Sequence, residues 1–204
     1  ALAKMFCENG HETTLFSFLK EEIDVLREKR CNEKYLKGIF LPDGITLTDD
    51  ISPLGGTEIV VLSVASPYIS GAAAALCGVI SKKAIVVSVA KGFDPATQKL
   101  LHEVISEKLS NPVVALSGPS HAEEVGRGIP TTVVAASTDR AAGVHICKTL
   151  KNDRFRIYFN DDIIGVELGG ALKNIIALAV GVCAGLNMGD NVKAALMTRG
   201  LTEI

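Results

Sequence analysis

Short apolar runs and amphipathic stretches take turns along most of this chain. Glu58–Ser63, Ala84–Val89, Val113–Ser117, Thr131–Ala136 and Phe155–Phe159 are dominated by β-branched, aromatic and small apolar residues, and each predicts a strand. Between them, Pro67 to about Val79, Ala96 to Leu109, Pro119 to Val125 and Asp139 to Leu150 predict helices. Upstream, Ala1–Asn9 predicts a helix with Leu2, Met5 and Phe6 on one side and Gly10 as its C-cap. Thr13–Phe18 then reads as a strand and Leu19–Lys29 as a charged amphipathic helix. A loop punctuated by Gly38, Pro42 and Gly44 leads into a short strand at Ile45–Thr48. Strands that are continuously apolar are covered on both faces. Interleaved with helices, they predict βαβ units and a doubly wound, mostly parallel α/β sheet.

After Asn160 the pattern changes. Ile163 to Leu186 is apolar almost all round, which predicts a helix buried on most sides. Gly189-Asp190 interrupts it, and Asn191–Ile204 resumes as a helix. The expected division is therefore an α/β unit over 1–160 and the start of an all-helical unit over 161–204. The second is too short to bury its own apolar surface, so it is expected to continue in further residues or to pack on another subunit.

Composition narrows the function classes. The chain has 204 residues, 48% of them hydrophobic and 22% charged, the make-up of an ordinary globular protein. Its formal net charge of -2 provides no basic field for nucleic acid or an anionic membrane, so positive charge must act singly, at a site. Cys7, Cys31, Cys77, Cys147 and Cys183 are scattered without a Cys-x-x-Cys pair, which reads as free thiols in a reducing compartment and argues against a zinc site. The longest apolar run, Ile175 to Leu186, is too short to span a bilayer. No secretory signal is visible, and the expected location is cytoplasmic.

Ligands of a doubly wound sheet bind beyond the carboxyl ends of its strands. Three strands end suggestively. Leu62-Ser63-Val64-Ala65-Ser66-Pro67 leads into a helix start whose amides suit an anion, or is a plain turn. In Val89-Ala90-Lys91-Gly92-Phe93 the lysine is placed to hold a phosphate, a hydroxyl or a carboxamide, or is a solvated loop residue. Leu116-Ser117-Gly118-Pro119-Ser120-His121-Ala122 offers backbone access and a hydroxyl, or is a helix cap, and His121 is given no role. The sharpest segment runs from Glu167 through Gly169-Gly170 and Lys173-Asn174 to Leu178. Two glycines inside a helix cost about 1 kcal/mol each against alanine, so close approach of a helix or ligand is expected there. Lys173, one turn later, is expected to be desolvated with a lowered pKa, suited to exchanging a proton with a hydroxyl near neutral pH. The alternative is a lysine whose stem packs while its head reaches water. Asn174 adds an uncharged donor and acceptor.

Taken together, Val89-Ala90-Lys91-Gly92, Ser117 to Val125, Glu167 to Ala179, and Gly189-Asp190-Asn191 continuing through Lys193 to Leu201 resemble the NAD(P)-dependent glycerol-3-phosphate dehydrogenases, especially the bacterial type. Ala1-Leu2-Ala3, Asn9-Gly10-His11, Tyr35-Leu36 and Leu41-Pro42 fit as well, so the resemblance covers essentially the whole chain. It implies a Rossmann-like dinucleotide-binding domain and the start of a helical substrate domain. The implied reaction interconverts sn-glycerol 3-phosphate and dihydroxyacetone phosphate by hydride transfer with NAD or NADP, in glycerophospholipid precursor synthesis. By the same resemblance Lys173 is the catalytic lysine, and Lys91 touches both substrate and cofactor. Gly118, Ser120 and Asn174 contact substrate, Ala122 contacts cofactor, and Phe18 stands near the adenosine, where the family usually has Arg or His. With neither a carboxylate nor an arginine at that position, NAD and NADP both stay open. The family's glycine-rich turn is expected directly before Ala1, and a later acidic residue and a Ser-Arg-Asn segment after Ile204. The complete protein is expected to be a homodimer that neither binds nucleic acid nor inserts in a membrane. A related dehydrogenase acting on a hydroxy acid, or an inactive fragment, are the alternatives.

Overall fold

Adjacent valines in one strand point to opposite faces of a sheet. In the computed structural model, which describes residues 1–204, Val86 and Val87 are both fully buried, each in a different core. They belong to a five-stranded sheet ordered β3 (Ile59–Leu62), β4 (Ile85–Ser88), β5 (Val113–Ser117), β6 (Thr131–Ala136) and β7 (Phe155–Asn160). Pairing is parallel throughout except between β5 and β6, which run antiparallel with Ala115 opposite Ala136. On one face, α3 (Ile69–Leu76) and α4 (Leu101–Ser106) pack Ile69, Ala73, Leu101 and Ile105 onto Val60, Leu62 and Val86. On the other, α1 (Leu2–Glu8) and α6 (Arg140–Leu150) bury Met5, Phe6 and Ile146 against Val87, Val114 and Val133. Helices on both faces satisfy the continuous apolar strands, as the pattern predicts.

A second sheet pairs β1 (Thr13–Phe16) with β2 (Ile45–Thr48) in parallel, covered by Ile23 and Leu26 of α2 (Lys20–Lys29). The two sheets share no ladder. They are joined through α1, which sends Met5 and Phe6 into the larger core and Ala3 and Cys7 against the smaller.

Two helices differ from expectation. The predicted helix over Ala96–Leu109 is only Leu101–Ser106, because the Asp94 carboxylate accepts both the backbone N–H and the hydroxyl of Thr97, closing a turn. Gln98 then takes a positive φ of 59°, and the helix starts after it. The predicted all-round burial of the long helix fails as well. α7 (Ile163–Gly185) buries only Ile163 and Glu167, while Ile175, Leu178 and Val182 are exposed, Leu178 at 71%. Its most extensive helical contact is with α8 (Asp190–Glu203), where Gly200 lies so close to Ile176 that a Cβ would overlap it. The Ile175–Leu186 run alone is too short to span a bilayer, but α7 continues upstream through Lys173 and Glu167. Its 23 residues, with a mean hydropathy of 1.7, are long and apolar enough to cross a membrane by length and composition.

α7 starts where β7 ends. Asp162 caps it by accepting from Gly165 N at 2.8 Å, and a Cβ on Gly165 would collide with that carboxylate. Ile163 then packs on Ala115 of β5 and Ala136 of β6, small residues that let the helix lie close to the sheet. Replacing Asp162 with alanine is expected to lower the free energy of unfolding by about 1 kcal/mol. Urea denaturation should show this as a lower midpoint at unchanged m, with Asp162→Asn near wild type.

Candidate active site

The parallel strands β3, β4 and β5 deliver three loops to one end of the sheet. After β3 the chain enters a 3₁₀ turn at Ser66–Tyr68, with Pro67 supplying the fixed φ of a helix start. After β4 comes Lys91-Gly92, and Gly92 adopts φ +115°, with its missing Cβ 3.5 Å from Ser66 Oγ. After β5, Gly118 has φ +143°, and a Cβ there would come within 3.0 Å of the Thr132 carbonyl oxygen and Val133 Cα of β6. Glycine at 118 is thus required by backbone conformation and by the closeness of the neighbouring strand. Ser120 is half-buried and donates its hydroxyl to the Gly118 carbonyl at 3.3 Å, which turns the loop back on itself. His121 is exposed and makes no side-chain cap to the short α5 (Ala122–Gly126).

The fourth side is α7. At Gly170 a Cβ would lie 3.0 Å from Ser117 Oγ and 3.6 Å from Lys91 Cγ, so the helix backbone and the lysine stem are in near contact. Gly169 has open space where its Cβ would be. Of the two glycines singled out in the sequence, one has a packing reason and the other does not. The middle of the Lys91 side chain therefore lies beside α7. Burial, and then the nearby positive charge of Lys173, hold the Lys91 amine below the usual lysine range.

Here one expectation is corrected. The sequence predicts Lys173 as the desolvated amine, but Lys173 is exposed and Lys91 is the half-buried one. Lys173 follows Gly170 by three residues and is exposed, whereas Lys91 lies beside the helix and is half-buried. The Lys173 amine donates to Asn174 Oδ1 at 2.7 Å, which orients both side chains.

The remaining expected site residues lie on other elements. Ala122, exposed at the start of α5, lines an apolar cavity of about 230 Å³ with Ala1, Leu15, Tyr35 and Ile39, between the small sheet and the β5–β6 connection. Phe18 falls outside β1, which ends at Phe16, because Ser17 and Ser17-bonded Leu19 already begin the turn into α2. Its ring is exposed and stacks edge-to-face on Phe16 at 4.8 Å. The structure thus brings Lys91, Ser117, Gly170 and Lys173 together, and no contact joins Phe18 or Ala122 to them. Sequence reasoning assigned nothing to Glu167 and His102, which pair beneath the site: Glu167 Oε2 is 2.6 Å from His102 Nδ1. A carboxylate within an apolar helix was the available signal for the first; nothing in the sequence marked the second.

Two family models match the chain: the N-terminus of NAD-dependent glycerol-3-phosphate dehydrogenase over residues 1–143 and its C-terminus over 162–204. Glycerol-3-phosphate dehydrogenase [NAD(P)+] of Fusobacterium nucleatum is 46% identical over 208 residues, covering 100% of this chain and 62% of the relative. The Geobacillus kaustophilus protein of the same name is 47% identical, covering 100% of this chain and 61% of its own length. The crystal structure of glycerol-3-phosphate dehydrogenase from Coxiella burnetii superposes with a TM-score of 0.90 at 35% identity, over 99% of this chain and 62% of that one. The chain thus spans about three fifths of the length of the relatives it matches.

Because the charge of Lys173 contributes to the Lys91 shift, Lys173→Met is expected to move the Lys91 titration upward, toward the ordinary lysine range. The pH dependence of Lys91 acylation, read by mass spectrometry, measures it; an unmoved curve means that the two amines do not sense each other.

Proposed function

The chain belongs to the NAD-dependent glycerol-3-phosphate dehydrogenase family, and from that premise we propose that it works as an oxidoreductase interconverting sn-glycerol 3-phosphate and dihydroxyacetone phosphate with NAD or NADP. The observation that carries this reading is the convergence of two amines, Lys91 and Lys173, where α7 meets the carboxyl ends of β4 and β5. A substrate with a phosphate dianion and a neighbouring hydroxyl needs both a fixed positive charge and a group that exchanges one proton. Two like charges held close repel, and an anion entering between them relieves that repulsion.

Lys91 holds substrate and the edge of the cofactor; its stem lies against the α7 backbone at Gly170, which restricts it before binding. Gly118 and Ser120 contribute contacts from the β5 loop, where the absent side chain at 118 leaves backbone accessible. Lys173 takes the proton of the C2 hydroxyl during oxidation and returns it to the carbonyl oxygen during reduction. Asn174 orients that amine through the hydrogen bond already formed.

The surroundings fit a dinucleotide. The 3₁₀ turn opening at Ser66 and the side-chain-free Gly92 leave room at the strand ends, and Ala122 opens an apolar cavity beside the small sheet. Lys91, Ala122 and Phe18 would hold the cofactor, which when bound supplies the hydride acceptor or donor. Phe18 has neither a carboxylate for a ribose diol nor a cation for a 2′-phosphate, which accords with use of either cofactor.

In this reading residues 1–160 are the dinucleotide-binding domain and 161–204 open a helical substrate domain. The exposed apolar face of α7, with Ile175, Leu178 and Val182, meets further protein, in a homodimer of the complete enzyme. Free cysteines and a net charge of -2 suit a cytoplasmic enzyme of glycerophospholipid precursor synthesis with no nucleic-acid partner.

Steady-state kinetics of the intact protein test the assignment. Lys173→Ala is expected to lower kcat about 10²–10⁴-fold with cofactor affinity, read by NADH fluorescence, nearly unchanged. Lys91→Ala is expected to raise KM for glycerol 3-phosphate. Faster turnover of 3-hydroxy acids than of glycerol 3-phosphate would reject the substrate, and equal losses of kcat and cofactor affinity in Lys173→Ala would make that lysine structural.

A further inference from the structure

We infer that Glu167, held by His102, is a positioning residue: the pair fixes the height of α7 on the sheet and so sets where Lys173 stands relative to Lys91. The inference builds on the proposed role of Lys173 for its catalytic consequence, while the placement itself is a matter of contacts between helices.

Glu167 is the one charged side chain buried in α7, with only 5% of it exposed. Burying a carboxylate is unfavourable unless its oxygens are satisfied. Both are satisfied by a single residue. Oε1 accepts the backbone N–H of His102 at 3.1 Å, and Oε2 lies 2.6 Å from His102 Nδ1. That backbone N–H is in the first turn of α4 and has no acceptor within its own helix. The carboxylate therefore bridges two elements that the chain separates by 65 positions.

Beyond its capped first turn, the other contacts of α7 with the sheet carry no directional polar bond. Ile163 sits on two alanines, a contact without direction. Gly170 lets the helix come close to Ser117 and Lys91 but has no side chain to key into them. Small residues at a helix contact permit approach, and they also permit sliding. A bidentate polar contact resists both sliding and rotation, because both bonds lengthen with either motion. Glu167 and Gly170 lie on one face, three residues apart, so the clamp acts beside the closest approach. Lys173 follows Glu167 by six residues, about 9 Å along a continuous helix. A shift at the clamp is carried to the amine undiminished.

The charge on His102 strengthens the clamp. The hydrogen bond to Glu167 raises the imidazole pKa against the opposing effect of burial, and the charges of Glu167 on α7 and Glu103 on its own helix add to the rise. A raised histidine pKa stabilises the folded form fully below the ordinary value of about 6.5. The contribution is lost as pH climbs through the raised value. Above it the neutral ring can still donate, so the clamp weakens without opening.

The test uses the intact protein with Glu167→Ala, Glu167→Gln and His102→Ala. Three quantities are read: the pH dependence of Lys91 acylation, the thermal midpoint, and kcat with the two KM values as a function of pH. Glu167→Ala should move the Lys91 titration upward, since α7 no longer covers its stem. It should also lower kcat about a hundredfold, the scale of an ångström-sized misplacement, with KM for the cofactor unchanged. Glu167→Gln keeps an acceptor for the backbone N–H and a donor for the neutral ring. It should retain the wild-type Lys91 titration and kcat within about threefold, and lose the pH dependence that His102 imposes. Should alanine at 167 fail to fold, His102→Ala, which keeps the backbone donor, reports the same shifts at smaller size.

An unmoved Lys91 titration with unchanged kcat in Glu167→Ala overturns the inference. So does an equal fall of midpoint and kcat in the Gln and Ala variants, which marks a role in folding alone. If Lys91 moves in Glu167→Ala while Lys173→Ala turns over normally, the placement stands and the catalytic assignment of Lys173 is what falls.

Discussion

The nearness of α7 to the ends of β4 and β5 governs everything proposed for this chain. At Gly170 the helix backbone lies against Ser117 and the stem of Lys91 with no room for a methyl group to enter at ordinary contact distance from Ser117. That contact half-buries one amine, brings a second within range of its charge, and fixes the direction in which the rest of α7 leaves the sheet. A helix standing a side chain further out would leave Lys91 in solvent and Lys173 beyond its reach. Alanines at 115 and 136, under Ile163, prepare the same closeness about two turns earlier.

The doubly wound sheet makes this contact possible by being rigid where it matters. Two separate cores, one on each face, lock β4 and β5 between α3–α4 and α1–α6. Loops leaving those strands inherit fixed starting points, and glycines at 92 and 118 let them turn without strain in regions that other residues rarely adopt. In the proposed function the binding residues sit on the loops and the proton-exchanging lysine on the helix. The polar pair of Glu167 and His102 is the buried link between the two, and its geometry costs little because both oxygens are satisfied.

Legibility in the sequence followed the range of the interactions concerned. The strands Ile45–Thr48, Val113–Ser117 and Thr131–Ala136 were readable to the residue, since each is a β-branched or apolar run bounded by turn residues. The helix expected over Ala96–Leu109 was shortened by the Asp94–Thr97 turn, a local side-chain competition that periodicity does not register. All-round burial of α7 was read from its composition alone, and composition says that a helix seeks apolar company without saying whether these 204 residues provide it. The residues meeting at the site were visible as the Lys91-Gly92 and Gly170 to Lys173 segments. Their distribution of solvent was not: it is Lys91 that is sheltered and Lys173 that is open.

By itself the sequence determined the alternation of strands and helices, the likeness to one dehydrogenase family, and the residues with the right chemistry. These depend on residue type, on period and on neighbours a few positions away. Only the tertiary structure decided which amine is desolvated, which of two adjacent glycines is needed, and that Glu167 finds His102. Burial and hydrogen bonding between positions 65 residues apart depend on how elements pack in space, and no local pattern encodes that distance.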